Sequence, residues 1–163
     1  VRWWWQLHAV HHSQQQMTMW TDNRNHLLDD LIRDSVFVGL ALGVGIAPSQ
    51  FVAVVALTQL VESLSHANVR LSFGPVLSRV LVGPQYHRLH HRIGLGHESA
   101  GQGTLGGHNF AVLFPVWDWL FGTARFEPAT QPTGIRDQLA GRDYGRGFWA
   151  QQWLGLKRLA GRA

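Results

Sequence analysis

Two short stretches of this chain have the residue types and spacing to do chemistry. His8-Ala9-Val10-His11-His12 and His87-Arg88-Leu89-His90-His91 share the form H-x-x-H-H. On a helix, positions i, i+3 and i+4 lie on one face, so each stretch aims three imidazoles at one point. Two such points brought together make a nitrogen-rich pocket suited to iron, zinc or copper. Ten histidines in 163 residues produce some clusters by chance, but two of identical form fit chance poorly. Val10 and Leu89 fall away from the imidazole faces and are expected to serve packing. Imidazole binds metal in its neutral form, so occupancy is expected to fall below about pH 6, given an ordinary histidine pKa near 6.5.

Composition narrows the setting. Cysteine is absent, which excludes thiolate metal sites, disulfides and Cys-ligated clusters. Charged residues make up 15% of the chain and there are eight tryptophans, a balance that fits a membrane protein with interfacial aromatic belts. The net charge of +4 comes mainly from basic residues after Ser78 and in the C-terminal third. That distribution argues against a nucleic-acid partner, which would want a basic stripe with interleaved aromatics. It suggests instead that the histidine motifs and the C-terminus lie on the cytoplasmic side of a membrane. The chain opens on Val1-Arg2-Trp3-Trp4-Trp5 without an initiator Met, so residues 1–163 are expected to be a single, N-terminally incomplete domain.

The elements that must position the histidines are helical. Residues 1–13 form a helix with an apolar, interface-seeking start. Residues 21–26 read as a loop or cap. From Val36 to Val61 no charged residue occurs, but Pro48 interrupts the run. The expected result is a membrane hairpin over about 31–66: a helix over 31–46, a turn at 47–49 and a return helix over 50–66. Gly39, Gly43 and Gly45 permit close packing there; a buried helix pair in a soluble core is the alternative. His66 ends this apolar segment, where an unpartnered imidazole would be costly, and is expected to be a further ligand. Residues 69–86 form a connector, and the second triplet is expected to begin a helix. Residues 94–109 are dominated by glycine without the order of a dinucleotide loop, so they read as a flexible loop. A helix over 110–121, a loop over 124–147 and an amphipathic interfacial helix over 148–159 complete the chain.

The chain resembles the fatty acid hydroxylase superfamily, which includes the sterol desaturases. The resemblance is carried by Leu7-His8-Ala9-Val10-His11-His12-Ser13, Thr21-x-x-Arg24-x-His26, Ser65-His66-Ala67-Asn68-Val69 and Pro84-Gln85-Tyr86-His87-Arg88-Leu89-His90-His91. It continues in His108-Asn109-Phe110 and Trp117-Asp118-Trp119-Leu120-Phe121-Gly122-Thr123. It implies an all-α fold, a membrane-embedded helical bundle with a helical hairpin and a cytosolic histidine-rich cap holding two metal ions. The implied metal ligands are His8, His11, His12, His66, His87, His90 and His91. Supporting roles fall to His26, Asn68, His108, Asn109 and Asp118, and His97 is expected to be a solvated loop residue. The family's earlier H-x(3–4)-H motif is absent, so two expected ligands are missing from these residues.

The implied activity is O2-dependent hydroxylation or desaturation of a lipid by an integral membrane enzyme. Oxidising an unactivated C–H bond needs a redox metal, which favours two iron ions over zinc. Electrons must come from an external donor such as a ferredoxin or cytochrome, because no flavin, haem or Fe–S motif is visible. Fatty acid, sterol, carotenoid and alkyl ether substrates are not distinguished. The alternatives are a non-catalytic membrane remnant of the same fold, a membrane zinc hydrolase, and a haem electron carrier. The hydrolase lacks an H-E-x-x-H motif, with Glu98 the nearest acidic candidate. The haem carrier needs lone histidines at mid-membrane.

Overall fold

A computed structural model describes residues 2–94, 107–128 and 131–162. The described residues are helical, with one isolated bridge between Arg92 and Thr133. In chain order the helices are α1 (Arg2–His12), α2 (Leu27–Val44), α3 (Pro48–Ser65), α4 (Gly74–Leu77), α5 (Pro84–His90), α6 (Val116–Leu120), α7 (Arg136–Leu139) and α8 (Phe148–Leu159). Most of the glycine-rich stretch, with His97 and Glu98, lies outside the described residues.

The hairpin forms for local reasons. His26 caps α2 by accepting the Leu28 N–H on Nδ1, and Asp29 and Asp30 in the first turn complement the helix dipole. Gly45 ends α2 in the left-handed region at φ 81°, and the Ile46 N–H returns to the Ala41 carbonyl. Pro48 starts α3, where its missing N–H costs nothing, and the Gln50 side chain accepts the Ala47 N–H. Each arm has 18 residues, about 27 Å at 1.5 Å per residue. Asp29, Asp30, Arg33 and Asp34 occupy the first two turns of α2, and Glu62 the last turn of α3, so the uncharged run is split between two shorter arms. Among the described residues no helix is long and apolar enough to cross a membrane.

Three expectations are corrected. The second histidine triplet closes its helix rather than beginning it: α5 starts at Pro84, His90 is its last residue and His91 is its C-cap. The helix over 110–121 shrinks to Val116–Leu120, because the N–H groups of Phe110 and Ala111 donate to the Asp118 carboxylate instead of to a helical ladder. The loop over 124–147 contains the single turn α7.

Helix α1 packs chiefly on α8 and also on α2, while α3 packs on α5. Helix α8 meets α1 through a largely polar face. Gln152, Gly155 and Arg158 face inward, and Trp149 and Trp153 face outward. Gly155 makes this approach possible, since a Cβ there would lie 2.4 Å from His26 Cδ2. His26 then fixes the register, with Nε2 donating to the Gln152 carbonyl at 2.9 Å. Arg158 is held by Asp137 at 2.9 Å, by Gln6 at 3.2 Å and by the Tyr144 hydroxyl.

Candidate metal centre

The helical hairpin and the two triplets deliver imidazoles to one buried place. His11, His66, His87 and His91 form one group of four buried ligand-type residues, and His12, His90 and His91 form a second group of three. Within each group the candidate ligand atoms lie within 4.8 Å of one another. In the first group the Nε2 atoms face each other directly: His11 to His66, His66 to His87, and His87 to His91 are each 3.2 Å apart. Nitrogens at about 2.0–2.1 Å from a tetrahedral metal are separated by roughly 3.3–3.4 Å. The donor set therefore fits a cation without large rearrangement. His91 belongs to both groups because the end of α5 leaves its ring stacked on His12, with centroids 4.3 Å apart.

The electrostatics suit a metal as well. Burial above all, and then the neighbouring imidazoles, hold His11, His87 and His91 well below the ordinary histidine value. They are neutral at pH 7, the form that offers a lone pair.

The remaining ring nitrogens set which atom faces the cluster. His66 Nδ1 lies 2.9 Å from the Glu62 carbonyl oxygen and 3.2 Å from Asp22 Oδ1. Asp22 is itself fixed by Gln59 at 2.5 Å and Ser63 at 2.7 Å. His90 Nδ1 donates to the His108 carbonyl at 2.7 Å. His11 Nδ1 faces the Gln14 amide at 3.4 Å. A proton held on Nδ1 leaves Nε2 free to bind metal. The Nδ1 atoms of His87 and His91 are buried and have no hydrogen-bond partner among the described residues.

His8 stands apart. Its Nδ1 lies 2.8 Å from Asp29 Oδ2, its side chain is 38% exposed, and it belongs to neither group. Trp4 donates to the other oxygen of Asp29. The His8 ring nevertheless packs on His11 and His12, with centroids 5.3 and 4.9 Å apart.

The supporting residues act at different removes. Asn109, at φ 59°, donates to the carbonyls of Tyr86 and Arg125 and accepts the Arg125 N–H. Asp118 accepts from the Tyr86 hydroxyl at 2.8 Å and from Thr123 at 2.5 Å, besides Phe110 and Ala111. Both therefore clamp the turn before His87 and touch no histidine ring. His108 contributes its backbone carbonyl. His26 is a helix cap and packing residue, and exposed Asn68 accepts a 3.4 Å bond from Arg88. Asp22, Asp29 and Gln14 were missed in the sequence. Only the position of Asp22 inside the Thr21–His26 motif, and of Asp29 in the first turn after it, hinted at them.

A family model described as fatty acid hydroxylase matches residues 1–123. An ornithine lipid hydroxylase, OlsE, of Rhizobium tropici is similar at 30% identity over 155 residues, covering 90% of this chain and 41% of that protein. The chain thus spans about two-fifths of the length of this relative. No solved structure matches.

Proposed function

This chain belongs to the fatty acid hydroxylase family, and from that premise we propose that it forms the metal-binding part of an O2-dependent di-iron lipid hydroxylase. The observation that carries the proposal is the convergence of His11, His12, His66, His87, His90 and His91 into two adjoining buried groups that share His91. The chemistry that a bound iron pair supplies is the activation of O2 for attack on a C–H bond. The chain's own contribution is binding and orientation. Neutral imidazoles hold the metals, while Asp22, the His108 carbonyl and Gln14 keep protons on the outer ring nitrogens. His8, whose ring packs on His12 and whose Nδ1 faces Asp29, is assigned as a further ligand that would use Nε2. An external electron carrier such as a ferredoxin or cytochrome supplies the reducing equivalents.

The substrate is a membrane lipid, and ornithine lipid is the first to test because of the relative's activity. The α2–α3 hairpin exposes Val36, Phe37, Leu40, Leu42, Val54 and Leu57. An apolar surface of that extent needs a cover, and we assign it to the bilayer, with the histidines at its cytoplasmic face.

The test is the native full-length protein, loaded anaerobically with ferrous iron and supplied with a chemical reductant, ornithine lipid and 18O2. Two irons per chain and a product carrying one 18O atom are expected. One zinc per chain, or iron loading without any O2-dependent change of the lipid, overturns the assignment. A product lighter by two hydrogens would make the enzyme a desaturase.

A further inference from the structure

A groove of about 350 Å³ opens beside the C-terminal end of α1, walled by Gln14, Arg24, Gln138, Arg142, Asp143 and Tyr144. It lies one residue layer from the histidine cluster, since its wall residue Gln14 faces His11. Its charge is unbalanced. Arg24 donates to the Val10 carbonyl and, at 2.9 Å, to Ser13 Oγ, and no carboxylate among the described residues pairs with it. Arg142 shares Asp137 with Arg158, at 3.1 and 2.9 Å, so one carboxylate answers two guanidinium groups. The groove thus has a surplus of positive charge at one side. At its rim stands one exposed carboxylate, Asp143, whose Oδ1 accepts the Gly145 N–H at 2.9 Å.

Gln14 joins the groove to the metal centre. It is 3% exposed, and its Oε1 has no hydrogen-bond partner among the described residues. His11 directs Nε2 into the cluster, so with metal bound its proton sits on Nδ1, and Gln14 must meet that proton with its amide oxygen. The amide NH2 group then takes the unpartnered position as a buried donor in the groove wall. On the other side, Gly145 packs against Ala150 at the start of α8 (a Cβ there would lie 3.0 Å from that of Ala150). The same turn of α8 presents Phe148 and Trp149 outward, at 47% and 77% exposure. Exposed aromatics beside a polar groove suit a site at the edge of a bilayer.

We propose that this groove binds the polar head group of the lipid substrate, with a head-group carboxylate on Arg24 and Arg142 and a head-group ammonium facing Asp143. A phosphodiester would satisfy the arginines and be repelled by Asp143, whereas a zwitterionic amino-acid head group satisfies both. The identity of the ligand rests on the hydroxylase assignment above.

The experiment compares ornithine lipid with its carboxyl methyl ester. Binding to the full-length protein in mild detergent is followed by tryptophan fluorescence. Esterification removes the anion and little else. It is expected to weaken binding to the wild type at least tenfold, and to the Arg142→Gln protein by a clearly smaller factor, because one of the two arginines it addressed is gone while Arg24 remains. Arg146→Gln, which changes an exposed arginine outside the groove, keeps the full penalty. Equal binding of acid and ester by the wild type, or an equal penalty in wild type and Arg142→Gln, overturns the proposal. Turnover is read separately as 18O incorporation. An ester penalty without turnover overturns only the hydroxylase assignment, and turnover without an ester penalty overturns only the head-group groove.

Discussion

Among the histidines, the fully buried side chains include His12, His66 and His91 beside Leu7 and Leu89, whereas along the hairpin Leu40, Leu42, Val44, Leu57 and Leu60 are each more than half exposed. The two regions exchange the polarity of an ordinary water-soluble fold. Buried polar rings are tolerable only where partners satisfy them, and exposed aliphatic side chains only where something other than water meets them. The cluster therefore suits a cation, and the hairpin a cover other than water. The same helix pair serves both ends: α3 carries an exposed apolar arm and then delivers His66 to the metal centre.

The sharpest way to break this contrast is to remove the imidazole common to both nitrogen groups. His91→Ala is expected to abolish metal retention and to lower turnover by at least about 100-fold, since even partners behind the ligands cost 10–100-fold. Elemental mass spectrometry and lipid product analysis check it, and full iron content in the variant would break the assignment of His91.

On the hairpin side, Leu40→Asp places a charge on an exposed apolar arm. A charge at the centre of a membrane helix costs about 2.5–3.5 kcal/mol, so partitioning into phospholipid vesicles should fall by about two orders of magnitude. Stability in detergent should barely change, as for other surface substitutions. Unaltered vesicle binding would mean that the hairpin is covered by protein.

Asp22→Asn tests the cluster at one remove. It removes the carboxylate that faces His66 and is expected to reduce iron affinity 10–100-fold while leaving the helix content intact. Asp118→Asn, which touches no ring, should destabilise the α5 clamp more than it weakens the metal.

The smallest effect expected is on pH dependence. His11, His87 and His91 have pKa values lowered by burial and by one another. Between their folded values and the unfolded value near 6.5, the unfolded chain binds more protons. Stability of the metal-free protein must therefore rise with pH through that window and fall as pH drops below about 6.5. A melting temperature lower at pH 5 than at pH 7.5 is expected. Metal release should lie further to the acid side than an exposed histidine would give. Identical melting at both pH values would contradict the neutral, buried state of these rings.

Much of the site was legible because helical spacing is a local property. H-x-x-H-H needs no tertiary information to place three rings on one face, and the Pro48 break located the hairpin turn. The second triplet was misplaced within its helix because Pro84 is a strong start signal three residues earlier and His91 already lies in the cap. The aromatic run after Phe110 has helical composition, but Asp118 captures the backbone N–H groups that a helix would use. Helix α8 was correct in extent, but its inward face was not legible, since a buried Arg158 is stable only with Asp137, Gln6 and Tyr144 beside it.

The sequence by itself determined the helical class, the two imidazole faces and the hairpin, because each rests on spacing along the chain, and its motifs carried the resemblance to the family. Tertiary structure alone decided that His91 is common to two nitrogen groups, that Asp22 and Asp29 stand behind His66 and His8, and that Gln14 joins a charged groove to the cluster. Those pairings link residues far apart in sequence, and their energies depend on burial and distance, which no local pattern encodes.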